Sequence, residues 1–427
     1  MNVSQNRTFF ILGRNAELSI LEILSVLHAE NISYTDPVAS DDVLLLTTAS
    51  PLPLKQLQSR LGGTIKIGHL LPATLHLDQL PNSDAFFSET ILAANSATTG
   101  RITFGLSAYT LTRQSKKVST SGSLSTKLLR TLGLNVKKTV RDAGHSVRFA
   151  AVDRESFLSS VSVEKNGLVK EHGCEFVLLR NGNHIFIGIT DTVQEFEEYS
   201  FRDWSRPHRE METGLLPPKL AQIMINISGV SPKESPTILD PFCGFGTIIQ
   251  EALLIGFTKI LGSDLSEKNV HAAQENIAWL LSKKDLVYDT SAITTHDATK
   301  ISSTTPRASI DAIITEPYLG PVISQSFGGP LKNIVDTLSA LYISFLKEAH
   351  TILKPKGVIV MVWPVWMQKD KNIFLPILER VISIGFKNTT ISQGAAPLVA
   401  QHTSRNTVIY FRAGQHVGRE LIRLEKS

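Results

Sequence analysis

Between residues 237 and 362, short and continuously apolar runs alternate with longer amphipathic ones, and no other feature of the chain restricts its fold as much. Runs at 237–239, 260–262, 292–295, 310–315 and 357–362 read as strands. Helices read from 247 onward, over 267–281 and over 333–353, with a further helix at 374–384. A strand apolar on both sides has to be covered on both sides, so the pattern predicts a mostly parallel, doubly wound sheet. A strand at 407–412 follows a long Gly- and Pro-containing stretch and is expected to insert antiparallel beside the others. In such a sheet ligands gather beyond the carboxyl ends of the strands. The residues that close each apolar run are therefore the first candidates for chemistry.

The preceding half has a different texture. A strand at 8–12, a helix at 16–28 with Leu18, Leu21, Ile23, Leu24 and Leu27 at helical spacing, and a strand at 43–47 describe a small α+β unit. A second such unit is expected from a helix at 83–94, a strand at 102–106, a basic helix around 123–132 and a strand at 147–152. Runs 176–180 and 184–190 flank Asn181-Gly182-Asn183, whose Asn-Gly pair predicts a hairpin. Pro217-Pro218 then opens a helix carrying Leu220, Ile223, Met224 and Ile227.

With 427 residues the chain is long enough for two to three domains, and 42% hydrophobic with 19% charged residues is a folding composition. The longest apolar run, 358–367, is broken by Pro364 and falls short of the roughly 20 residues of a membrane span. No membrane helix is expected, and the polar start carries no secretory signal pattern. Two cysteines, Cys174 and Cys243, make neither a disulfide framework nor a CxxC metal site, so no metal is expected and a cytoplasmic location is the default. Charge is uneven: ten basic residues against one acidic leave +9 in 101–150, and −5 in the remainder of a chain whose net charge is +4. Arg113, Lys116, Lys117, Lys127, Arg130, Lys137, Lys138 and Arg141 are the candidate contacts to a polyanion backbone.

The strand at 237–239 runs into Asp240-Pro241-Phe242-Cys243-Gly244-Phe245-Gly246-Thr247. Gly244 and Gly246 suit a turn that approaches a ligand closely. A dinucleotide fingerprint wants a small third residue where this chain has Ile249, and it has no role for Asp240. Asp240 suits a cationic amino-acid or sulfonium group instead. Asp264, closing the second run, suits two ribose hydroxyls, and Asp297, after the third, suits an adenine amine. Three acidic residues at successive strand ends describe S-adenosylmethionine better than NAD, with Pro241, Thr247, Leu265 and Ala298 as neighbours in the same site. Helix capping is the competing role for each of these carboxylates, most of all for Asp264, beside Ser266. Cys243 has no histidine partner near it in sequence and reads as a packing residue.

Glu316-Pro317-Tyr318 closes the run at 310–315. An exocyclic amine on a nucleobase is a poor nucleophile because its lone pair is delocalised into the ring. Acceptors against its N–H groups localise that pair, and an aromatic face holds a base out of its stack. Glu316, the carbonyl of Pro317 and the ring of Tyr318 supply those parts, so they are the candidate catalytic residues.

The chain resembles the THUMP-domain tRNA guanosine-N2 methyltransferases, the family that modifies the guanosine at position ten of tRNA. The resemblance is carried by Phe10-Ile11-Leu12-Gly13-Arg14-Asn15, by Arg206-Pro207-His208-Arg209, and by Gly214-Leu215-Leu216-Pro217-Pro218-Lys219-Leu220-Ala221. It implies a ferredoxin-like α+β domain at 1–60, a THUMP-like RNA-binding domain at 61–175, a hairpin and linker at 176–213, and a Rossmann-like class I methyltransferase domain at 214–427. It also implies tRNA as partner, and Pro218 and Lys219 near the methionine end of the cofactor. The family motif is Asp-Pro-Pro-Tyr where this chain has Glu316-Pro317-Tyr318-Leu319-Gly320. Either the pocket has adjusted around a carboxylate reaching roughly 1.5 Å further, or activity or target has changed. Amino-methylation of rRNA or DNA, and a catalytically inactive tRNA-binding protein that keeps the fold, are the alternatives to N2-methylation. The sequence has no signal for or against a small activating subunit.

Overall fold

The computed structural model describes residues 6–96, 100–113, 124–209, 216–321, 331–367, 372–412, 415 and 417–427. The chain forms two compact units, one of residues 1–20 and 32–196, the other of residues 21–31 and 197–427.

The first unit is built on one mixed sheet. Its elements are β1 (Asn6–Leu12), the first residues of α1 (Ala16–Ala29), whose remainder counts with the second unit, β2 (Tyr34–Ala39), β3 (Val43–Thr48), α2 (Leu54–Arg60), β4 (Thr64–His76), α3 (Asp84–Ala94), β5 (Ile102–Thr110), α4 (Thr126–Asp142), β6 (Val147–Ala150), α5 (Ser160–Lys165), β7 (Gly173–Asn181) and β8 (His184–Val193). The strand order is β2-β3-β1-β4-β8-β7-β5-β6, with β5 parallel to both β6 and β7. Residue 60 thus ends α2, between β3 and β4 of one continuous eight-stranded sheet, and the expected hairpin supplies two of the central strands. Phe87, Ile91, Leu129, Leu132, Val136 and Val140 from α3 and α4 pack with Phe104, Leu106 and Phe176 in a core closed to solvent.

Helix α4 runs well past the expected 123–132. Ser125 caps it by accepting from the Leu128 amide. Gly133, which would ordinarily weaken a helix, gives room for the Phe149 ring: a β-carbon there would lie 2.1 Å from it. Lys127, Arg130, Lys137, Lys138 and Arg141 fall within an arc of about 100° on this helix, opposite the buried Leu129, Val136 and Val140.

The second unit contains α6 (Phe196–Trp204), α7 (Pro218–Ile227), β9 (Thr237–Asp240), α8 (Thr247–Ile255), β10 (Lys259–Asp264), α9 (Glu267–Lys283), β11 (Ile293–Thr295), β12 (Ile310–Thr315), α10 (Leu331–Ile352), β13 (Leu353–Met367), β14 (Asn372–Phe374), α11 (Leu378–Ile384), β15 (Phe386–Asn388), β16 (Val408–Tyr410) and β17 (Val417–Lys426). The order β11-β10-β9-β12-β13-β17-β15 is parallel through β13 and antiparallel from β17. This is the expected doubly wound sheet, and its order reverses between β9 and β12.

Two expectations are corrected. The antiparallel strand beside β13 is β17, and the run expected at 407–412 is the short β16, paired with β17. The helix expected from 374 starts at Leu378, because residues 372–374 pair with β13 instead. Phe345 of α10 is fully buried and meets Phe242 of the glycine turn edge to face at 5.1 Å. Truncating Phe345→Ala should lower unfolding free energy by about 3–5 kcal/mol, measurable by chemical denaturation, and should loosen the turn that Phe242 belongs to.

Candidate active site

A cavity of about 550 Å³ opens where β9, β10 and β12 end, at the point where strand order reverses. Asp240, Pro241, Gly244 and Thr247 line it from the first turn, and Asp264 and Leu265 from the second. Asp297 and Ala298 come from the third, and Glu316, Pro317 and Tyr318 from the end of β12. Pro218, Lys219 and Gly246 are not among the lining residues. Pro218 is buried at the start of α7, and the Lys219 ammonium lies over the Tyr199 ring at 4.7 Å.

Asp240 is buried, accepting from the Thr315 hydroxyl at 2.7 Å and from the Phe242 amide at 3.3 Å. Burial pushes its carboxyl up to about 7, against those hydrogen bonds and with help from the charges of Asp264 and Glu316. Asp264 accepts from the Gly244 amide at 3.0 Å with one oxygen, and from the Ser266 amide and the Asn269 side chain with the other. The cap of α9 is Ser266, whose hydroxyl accepts from the Asn269 amide, so Asp264 is not the capping residue, and with four lone pairs on its carboxylate acceptor capacity remains. Asp297 is held below the usual carboxylate range by the Thr299 hydroxyl, then by its backbone amide.

The two glycines differ. Gly244 has φ +50° and open space where a β-carbon would be, whereas Gly246, at φ +83°, would place a β-carbon 3.3 Å from Ala273 of α9. Close helix approach, not ligand approach, requires the second. Cys243 is buried and its thiol is pushed well above the ordinary range by that burial, so it packs and is no nucleophile.

Sequence reasoning gave no role to four residues that shape this site. Asn269 supports Asp264, and Asn276 of α9 donates to the carbonyls of Phe245 and His208, tying the 206–209 segment to the glycine turn. Arg206 is buried, and its Nη1 donates to the Thr247 hydroxyl at 2.9 Å. Its Nε and Nη2 have no hydrogen-bond partner among the described residues. Arg419 of β17 forms a two-pronged ion pair with Glu316, Nε to Oε2 at 2.7 Å and Nη2 to Oε1 at 3.0 Å. The Arg206 motif was visible in the sequence, but a charge in mid-strand at Arg419 left no periodic signal.

This set fits S-adenosylmethionine, with carboxylates for its cationic groups and hydroxyls, while Arg206, outside the lining, supports Thr247 and faces the Asp203 carboxylate at 4.0 Å. The profile of the RMKL-like methyltransferase domain family, UPF0020, matches residues 206–373. A tRNA (guanine(10)-N2)-dimethyltransferase of Methanothermobacter thermautotrophicus is 33% identical over 173 residues, 40% of this chain and 45% of that one. That of Pyrococcus abyssi is 33% identical over 140 residues, 33% and 39% of the two chains. A probable tRNA (guanine(10)-N2)-dimethyltransferase of Methanothermococcus thermolithotrophicus is 31% identical over 123 residues, 28% of this chain and 70% of that protein. The chain belongs to this family. It spans about half the length, or less, of the first of these relatives. TrmN from Thermus thermophilus shares the fold, with TM-score 0.54 and 19% identity over 99% of this chain and 100% of its own. Within the family fold, then, the cavity belongs to a methyltransferase domain.

The raised carboxyl of Asp240 on the cavity wall predicts a pH dependence for binding a cationic cofactor there. In the free protein its raised carboxyl favours the protonated form, so its contribution to stability is lost as pH rises from the ordinary carboxylate range through about 7. A cationic cofactor favours the ionised form, so binding below pH 7 releases a proton and affinity falls roughly tenfold per pH unit below it. Calorimetric titration with S-adenosylmethionine in buffers of different ionisation heat should detect that proton, and Asp240→Asn should remove the dependence.

Proposed function

We propose that the protein transfers a methyl group from S-adenosylmethionine to the exocyclic N2 amine of a guanosine in cytoplasmic tRNA, at position ten. The observation that carries this reading is the placement of Glu316 on the lip of the same cavity that Asp240 closes. When bound, S-adenosylmethionine supplies an electrophilic methyl group on a sulfonium. Glu316 and the Pro317 carbonyl accept from the amine, and alignment rather than a strong base does the remaining work. Tyr318 is 55% exposed and its carbonyl accepts from the Tyr342 hydroxyl at 3.0 Å, so a stacking face is presented on an anchored backbone.

The reading of residues 61–175 as a THUMP-like RNA-binding domain, behind a ferredoxin-like 1–60, is supported by the basic arc of α4. Lys127, Arg130, Lys138 and Arg141 line that arc together with Lys137. Arg130 also bonds the Val152 carbonyl at 2.9 Å. Arg113 lies just after β5 and is half-buried, while Lys116 and Lys117 lie outside the described residues. Phosphate contact by such an arc is sequence-independent, so base choice falls to the cavity.

Incubating the protein with a tRNA pool and methyl-labelled cofactor, then analysing nucleosides by mass spectrometry, should yield N2-methylguanosine or N2,N2-dimethylguanosine. Label on adenosine or cytidine instead would sink the reading. Glu316→Ala should abolish transfer while tRNA binding survives. Replacing Lys127, Lys138 and Arg141 by Ala should weaken tRNA binding and flatten its salt dependence, by about one unit of log–log slope for each phosphate that is no longer neutralised.

A further inference from the structure

The Glu316 carboxylate is not free to swing. Both of its oxygens are held by Arg419, and the two side chains are only 13% and 8% exposed. Arg419 itself is anchored: on β17 it lies opposite Pro364 of β13 and Tyr410 of β16, so its backbone is flanked on both sides. Its neighbour Glu420 accepts from Thr407 and pairs with Arg405 at 3.4 Å, away from the Glu316 contact, as alternation along a strand requires. We propose that Arg419 is a positioning residue for methyl transfer, holding the Glu316 carboxylate at the cavity lip so that its remaining lone pairs face the target amine. This deepens the function proposed above and rests on it.

A glutamate carries one methylene and one rotor more than the aspartate of the family motif, so by itself its carboxylate sweeps a larger volume. Transfer in line from a sulfonium is sensitive to placement, and an error of about 1 Å can cost on the order of 10²-fold. A guanidinium fork removes that freedom. It engages one lone pair on each oxygen, fixes the carboxylate plane, and leaves the other lone pairs for N–H donors. The charge is also suited to the place, because Asp240, Asp264 and Asp297 line the same cavity and a fourth carboxylate there needs an offset. Burial disfavours the charged guanidinium, but Glu316 outweighs it and holds Arg419 above its ordinary range. A merely structural staple between the end of β12 and β17 is the competing role, and it predicts different kinetics.

The test uses the full chain, methyl-labelled cofactor and tRNA. Arg419→Ala should keep S-adenosylhomocysteine affinity within about twofold and lower kcat on the order of 10²-fold, with KM for the cofactor unchanged. Methylguanidinium at tens of millimolar should restore part of the turnover of Arg419→Ala and none of Glu316→Ala. Arg419→Lys, which keeps the charge and loses the fork, should fall between. Near-normal turnover in Arg419→Ala would overturn the proposal while leaving the proposed function standing. Joint loss of cofactor binding and turnover, both restored by Arg419→Lys and neither by methylguanidinium, would assign the pair a structural role and overturn it as well. If the unaltered protein transfers no methyl group to RNA, the proposed function and this inference fall together.

Discussion

The hydrogen bond from Thr315 to the buried Asp240 carboxylate is the contact on which the catalytic unit turns. It joins the ends of β9 and β12 at the place where the winding of the sheet reverses, and so fixes the glycine turn against the strand that presents Glu316. A carboxylate buried there is costly unless a cation arrives to meet it, and a methyl donor with a sulfonium and an ammonium is such a cation. The strands are apolar on both faces because helices cover them, which leaves their carboxyl ends as the place for polar groups.

Much of this was legible in the sequence, because period and turn chemistry are local. The parallel strands, their order along the chain and the acidic residues that close them follow from apolar runs bounded by Asp and Gly. Asp240, Asp264, Asp297 and Glu316 do converge on one cavity. What was not legible depends on partners distant in the chain. β17 reads Val-Gly-Arg-Glu-Leu-Ile-Arg-Leu-Glu-Lys, with charges recurring along its length, and it becomes a central strand only because Glu316, Thr407 and other groups meet those charges. Lys219 was assigned by its place in a motif, whereas Tyr199 and the start of α7 decide where its ammonium lies. Helix α4 continues through Gly133 because the Phe149 ring, distant in the chain, fills the space a side chain there would take.

The first unit shows the same division between local and distant causes. The amphipathic period of α4 separates a buried face from a basic one by composition alone. Leu134, 59% exposed, lies within the basic arc and gives the stripe an apolar centre. By contrast, the single sheet that takes strands from 6–12 through 184–193 depends on pairings such as β4 with β8, separated by more than a hundred residues.

The position of β17 has a consequence for how the catalytic unit is assembled. β15 and β16 have β17 as their strand partner among the described residues, and β17 in turn lies against β13. As the chain leaves the ribosome, β9 to β13 can pair in turn, but this edge of the sheet must wait for a strand that comes after all of them. Arg419 arrives with that strand, so the carboxylate at Glu316 lacks this counter-ion until the sheet is closed. Completion of the sheet and pairing of Glu316 are thus the same event, and a partly synthesised chain holds the glycine turn without the counter-ion at the end of β12.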